Sequence, residues 1–166
     1  MLQAPVLHGP RAVVALGLPI GHDFEFSGRY RVPEALTARN VFSALPHGAA
    51  YAHRMIPALA TGLLVSIVES VCAEAMQERL DDDETLVGAE VEIRHERPAL
   101  PGSLLTICGS ARVRSRSETR FEVSVEDRFE QIATLVVVMR AIRLPRFEAG
   151  IERKAALLAA VAARDF

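Results

Sequence analysis

The sequence predicts an α+β fold in which an antiparallel sheet wraps around one long central helix. Three observations carry this. Residues 58–80 hold an apolar stripe at helical spacing, too broad for a surface helix. Residues 85–144 alternate apolar and polar side chains in successive runs, as strands with one buried face do. A single strand-like run, residues 22–32, comes before the helix, so the order is strand, helix, four strands.

Residues 1–21 read as an irregular segment, broken by Gly9-Pro10 and Pro19. In 22–32, Phe24 and Phe26 alternate with polar neighbours and predict a strand. Residues 33–57 mix their signals, with His47, His53 and Arg54 among them, and read as short helix and loop. From 58 to 80, Leu64, Val68, Val71 and Ala75 follow helical spacing, and Leu63, Ile67 and Cys72 widen the stripe. A helix this apolar must be wrapped by other structure. The run Asp81, Asp82, Asp83, Glu84 then reads as a solvated turn, because acidic groups sit poorly at a helix C-terminus.

Residues 87–95 set Val87, Ala89, Val91, Ile93 and His95 on one face, opposite Glu90, Glu92 and Arg94. In 103–113, Leu105, Ile107, Ala111 and Val113 oppose Thr106, Ser110 and Arg112. In 119–126, Phe121, Val123 and Val125 oppose Arg120, Glu122 and Ser124. A three-residue loop at 116–118 pairs Val113 with Phe121 and Arg112 with Glu122, which closes the parity of the hairpin. Residues 131–144 are apolar on both faces, as expected of a central strand covered on both sides. Ile151, Ala155, Leu158 and Val161 repeat at helical spacing and predict a terminal helix.

An antiparallel sheet around a helix is the hot-dog arrangement. The chain divides into an irregular segment (1–21), a hot-dog domain (22–146) and a C-terminal helix (147–166). Such a sheet leaves edges and apolar surface, so a homodimer is expected. A net charge of −2 argues against a nucleic-acid partner, since neutralising phosphates takes a basic surplus. No run approaches the ~18–20 apolar residues of a membrane helix, so no membrane partner is expected. The apolar stretch 12–20 lacks a convincing cleavage site, and the expected location is the cytoplasm. Cys72 and Cys108, far apart in apolar stretches, are expected as buried free thiols.

Glu69 stands out chemically. No Lys or Arg lies three or four residues away to pair with it on its helix face. Its carboxylate therefore meets a group distant in sequence, bonds a backbone amide, or faces a dimer surface. His95 is in phase with the inward face of its strand, as a satisfied core residue or as a proton carrier that titrates near neutrality. Thr61 lies eight residues before Glu69, about 12 Å of helical rise, and joins it only if the chain bends near Gly62. Otherwise Thr61 caps the helix. Arg140 shares phase with Val136, Val138 and Ile142; it orients Glu69 or substrate if inward, or reaches solvent from the strand end. Arg112, Arg114 and Arg116 line one outward face, either solvated or available to coenzyme A phosphates. His8, His22, His47 and His53 show no metal-ligand spacing, so no metal is expected.

The run Ala60-Thr61-Gly62, Glu69 within VESVCAEAM, Gly88, and His95 followed by Pro101-Gly102 resembles the fluoroacetyl-CoA thioesterase family. The likeness covers roughly residues 20–148, and its specificity lies in the spacing of Thr, Glu, Gly and His. It implies a hot-dog dimer with its active site at the subunit interface. Thr61, Glu69 and His95 would then be catalytic, Gly88 would contact the thioester carbonyl, and Arg140 would match an arginine near the site. The fluoroacetate-specific enzyme carries Phe residues before its Thr. Here that segment is HRMIPALA, with Met55 and Ile56, which leaves the acyl group open.

The implied reaction turns an acyl-CoA into a carboxylic acid and free coenzyme A. It needs no cofactor, coenzyme A being part of the substrate. Glu69 and Thr61 activate water, or one of them attacks the carbonyl, while His95 moves the proton to the thiolate. Two other readings stand beside this one. A hot-dog enoyl-CoA hydratase or dehydratase would place an Asp and a His ahead of the helix, and residues 40–60 hold His47 and His53 but no Asp. A non-catalytic acyl-CoA-binding protein would bind without releasing thiol.

Overall fold

The computed structural model describes residues 19–162. Five strands form one antiparallel sheet in the order β1-β3-β4-β5-β2. They are β1 (Asp23–Arg31), β2 (Glu84–His95), β3 (Leu104–Ser115), β4 (Glu118–Glu126) and β5 (Gln131–Arg143). Helices α1 (Ala38–Ala44) and α2 (Thr61–Met76) lie between β1 and β2, and α3 (Leu144–Ala162) follows β5 directly. The hot-dog expectation holds, terminal helix included. The irregular segment expected over 1–21 falls, up to residue 18, outside the described residues. Among the described residues no helix is long and apolar enough to cross a membrane.

The apolar stripe of α2 does what its spacing predicts. Leu64, Val68, Cys72 and Met76 are fully buried against Leu105, Ile107, Val113, Phe121, Val125 and Val137 of the inner sheet face. Each large apolar side chain so buried contributes about 1.5–3 kcal/mol. β1 passes close beneath the helix at Gly28, where a Cβ would stand 2.8 Å from Val71 Cγ1. Residues 58–60, expected inside the helix, lie outside it, with Leu59 in an isolated bridge to Thr37 and Ala60 extended at φ −69 and ψ 137. Their backbones bond elsewhere: Leu59 N–H donates to Ala99 O (2.8 Å) and Ala60 N–H to Leu36 O (3.1 Å).

Several strand expectations are corrected. The β2–β5 register shifts between Gly88 and Glu90, leaving Ala89 as the extra residue of a β-bulge. The bulge reverses the alternation. Leu86 and Gly88 share the inner face with Val91, Ile93 and His95, because all five pair with inner-face residues of β5. Val87 pairs with Arg140 and faces the other way. The β3–β4 turn has two residues, Arg116 and Ser117, so Arg112 faces Arg120 and Ala111 faces Phe121. That register differs from the expected one by two, an even step that leaves every side chain on its predicted face. Arg112 finds its countercharge on β1 instead, in a two-pronged bond to Asp23 (2.7 and 2.8 Å).

The middle strand is β4, while β5 lies between it and β2. Glu84, expected in a solvated turn, is the buried first residue of β2, and its Oε2 accepts from Asp81 N–H (3.1 Å). Cys72 is buried as expected, but Cys108 is exposed, since the even positions of β3 face outward.

Candidate active site

The N-terminus of α2 is fastened to the end of β2. Leu59, two residues before the helix, bonds Ala99, four residues past the end of the strand. This brings the first residue of α2, Thr61, to the last residue of β2, His95, with Thr61 Oγ1 3.0 Å from His95 Nδ1. Thr61 thus caps nothing; the cap position is Ala60, which has no side-chain bond to give. The other ring nitrogen, His95 Nε2, is buried without a hydrogen-bond partner. Burial pushes the imidazole pKa below its usual value, with the Arg97 backbone pulling weakly the other way. His95 is therefore neutral near pH 7, one nitrogen held by the Thr61 hydroxyl and the other unpaired.

Glu69 lies two turns further along α2 and reaches the inner face of β2 at Gly88. A Cβ at position 88 would overlap the Glu69 carboxylate, so this contact exists because residue 88 is glycine. Among the described residues the carboxylate takes part in no hydrogen bond or ion pair. Its neighbour one turn on is Cys72, whose thiol burial, and then the Glu69 charge, pushes up to about 12. That thiol stays protonated and is no nucleophile.

Within the chain these two contacts stand apart. Gly88 and His95 are seven positions apart on one strand, on the order of 20 Å at ~3.3 Å per residue. The bend at Gly62 that would join Thr61 to Glu69 is absent. α2 runs unbroken from Thr61, Ser66 Oγ donates to Gly62 O (3.2 Å), and a Cβ at 62 would meet nothing within 4 Å. Met55 is half-buried after a 3-10 segment, its carbonyl accepting from Arg39 Nε (3.2 Å).

Arg140 is not with Glu69. It pairs with Val87 on the outer face, because the inner face of β5 belongs to Leu135, Val137 and Met139. Its guanidinium bonds Glu118 Oε2 at 3.2 Å. Arg114 also reaches Glu118, at 3.8 Å. The acidic run read as a solvated turn folds into a cluster, with the carboxylates of Asp81, Asp83 and Glu84 within 4.8 Å of one another. Arg143 supplies its countercharge, 2.6 Å from Asp83 and 3.8 Å from Glu84.

The fold recurs in known proteins. Residues 46–142 match the family described as fluoroacetyl-CoA-specific thioesterase. The fluoroacetyl-CoA thioesterase of Streptantibioticus cattleyicolor is 25% identical over 138 residues, which cover 83% of this chain and 95% of that protein. A solved structure of a fluoroacetyl-CoA thioesterase superposes with a TM-score of 0.72 at 25% identity, over 83% of this chain and 98% of that one. A Thermus thermophilus thioesterase-superfamily protein gives a TM-score of 0.71 at 20% identity over 86% and 96%, a likeness of fold. With more than half of its length matched, the chain belongs to the fluoroacetyl-CoA-specific thioesterase family, and its activity is that of an acyl-CoA thioesterase.

Proposed function

We propose that the chain works as a cytoplasmic homodimer, each active site combining Glu69 of one copy with the Thr61–His95 pair of the other. The observation that carries this is the pair of unfinished half-sites, a Glu69 carboxylate without a partner and a buried His95 Nε2 without one. Strand β2 supplies the means. It is an edge strand of twelve residues, with Val91 39% exposed, and a bare edge is a template for pairing. In an antiparallel pairing that sets position 88 against position 95 of a second copy, the two halves meet. Twofold symmetry then makes two equal sites.

The chemistry follows from the groups. Glu69 removes a proton from water as its oxygen attacks the thioester carbon. The tetrahedral intermediate collapses with cleavage of the C–S bond; the proton taken from water passes from Glu69 to the neutral His95 and from the imidazolium so formed to the departing thiolate, restoring both groups. Thr61 holds the ring through Nδ1. Gly88 leaves room for the Glu69 carboxylate, and open space around Gly62 lets the thioester approach Thr61. Met55 and Ile56, aliphatic where the fluoroacetate enzyme has aromatic groups, favour an aliphatic acyl chain.

Free-thiol release from a panel of short, branched, aromatic and long acyl-CoAs tests the activity, with Glu69→Gln alongside. Release that survives the substitution rejects Glu69. Subunit sharing has its own test. Mixed Glu69→Gln and His95→Ala homodimers, each inactive, exchange into heterodimers with one intact site and regain about a quarter of native activity. No regain after proven exchange places Glu69 and His95 in the same subunit.

A further inference from the structure

On the outer face of the sheet, α3 leans over the ends of β4 and β5 and encloses a groove of about 660 Å³. We propose that this groove is a binding site for an amphipathic carboxylate, a medium-chain fatty acid by chemical class. It lies on the face away from α2 and Glu69, since its floor includes Arg140 and Ile142, both outward-facing on β5. It is also built in part from α3, which lies beyond the family-matched residues 46–142.

The walls have two characters. Ile142, Phe147 and Ile151 offer apolar surface, and Phe147 and Ile151 remain 47% and 55% exposed in the protein alone. Arg140, Arg143, Arg146 and Lys154 put four cationic side chains around them, against one lining carboxylate, Glu118. Arg140 is tied to Glu118 and Arg143 to Asp83. Lys154 makes no hydrogen bond or ion pair among the described residues. A volume in the range of small-molecule pockets, apolar walls and a few cations among them select a ligand with an apolar tail and one negative head. The tail lies on Phe147 and Ile151, and the head meets Lys154. A phosphate or short acid would satisfy the cations but leave the apolar walls wet; a neutral alcohol would do the reverse.

Lys154 is the sole lysine in the sequence, so a lysine label reports on this groove alone. Reductive ¹³C-methylation, which keeps the charge, gives Lys154 one dimethyl-lysine signal in the full-length protein, resolved from the terminal amine. We expect octanoate to shift that signal saturably, with octanol and acetate at equal concentration failing to. Ile151→Asp should weaken octanoate at least tenfold by the same readout, while Glu69→Gln leaves it unchanged. Circular dichroism of Ile151→Asp checks that α3 persists; if it does not, Phe147→Ser replaces it. A Lys154 signal that does not saturate, or an equal response to acetate, overturns the proposal. So does a response that Glu69→Gln abolishes, which would place octanoate at the catalytic site.

Discussion

The two contacts that β2 makes with α2 are built on opposite principles. At one end His95 and Thr61 meet through a directed hydrogen bond, placed by the strap from Leu59 to Ala99. Seven positions earlier Glu69 and Gly88 meet through shape, a carboxylate filling space that any side chain would occupy. A hydrogen bond tolerates small movements at modest cost, whereas a steric fit against backbone tolerates none. The contact held by shape should therefore be the more sensitive to substitution.

The largest effect is expected from Glu69→Gln, which keeps size and contact but removes the base. Turnover should fall about 10³-fold, within the range of a lost general base, with little change in thermal stability. Retained turnover in steady-state thiol release would reject the role of Glu69. Gly88→Ala comes next. Its methyl displaces the carboxylate, and displacing a reacting group by about 1 Å costs on the order of 10² in rate. Pairing it with Glu69→Asp, one methylene shorter, should recover part of that loss. A double variant no better than Gly88→Ala would mean that the fit is not the cause.

The same contrast explains what the sequence let one read. Glu69 was legible because an unpaired acid on an apolar helix face costs free energy unless something meets it. The faces of β3 and β4 were legible because period-two alternation survives an even slip in register. The bulge at Ala89 was not, since one extra residue leaves no mark on composition, and it changed which side chains accompany Gly88. Apolar side chains on both faces of β5 gave no sign of which face meets α2, so Arg140 was open to either side. The Thr61–His95 bond was hidden by the assumption that the helix begins at 58; the backbone bonds of Leu59 and Ala60 to other segments decide that it begins at 61.

At the hydrogen-bonded end a smaller loss is expected. Thr61→Val keeps shape and removes one bond of about 1 kcal/mol, which gives roughly a fivefold to tenfold drop in kcat. The pH profile distinguishes holding His95 from merely packing beside it. Burial lowers the imidazole pKa, so His95 is neutral and able to accept a proton above that value, and protonated below it. Activity should fall on the acid side along a limb below the ordinary ~6.5 of histidine. Thr61→Val should move that limb, because it changes what the ring nitrogen bonds. An acid limb at or above the ordinary value, unmoved by the substitution, would show that another group governs the rate.

The smallest effect is expected on the far side of the sheet. Arg140 stands on β5, paired with Val87 one rung from Gly88, and its guanidinium bonds Glu118 on the outer face. Were it to orient Glu69, Arg140→Ala would cost as much as Gly88→Ala. With a half-exposed ion pair as its main contact, the loss should be under about 1 kcal/mol of stability and less than twofold in kcat/KM. The two substitutions lie on adjacent rungs of the same β2–β5 ladder and differ only in the face they touch. A loss for Arg140→Ala rivaling that of Gly88→Ala would mean that the outer face shares in catalysis, and would dissolve the separation between the two faces of β2.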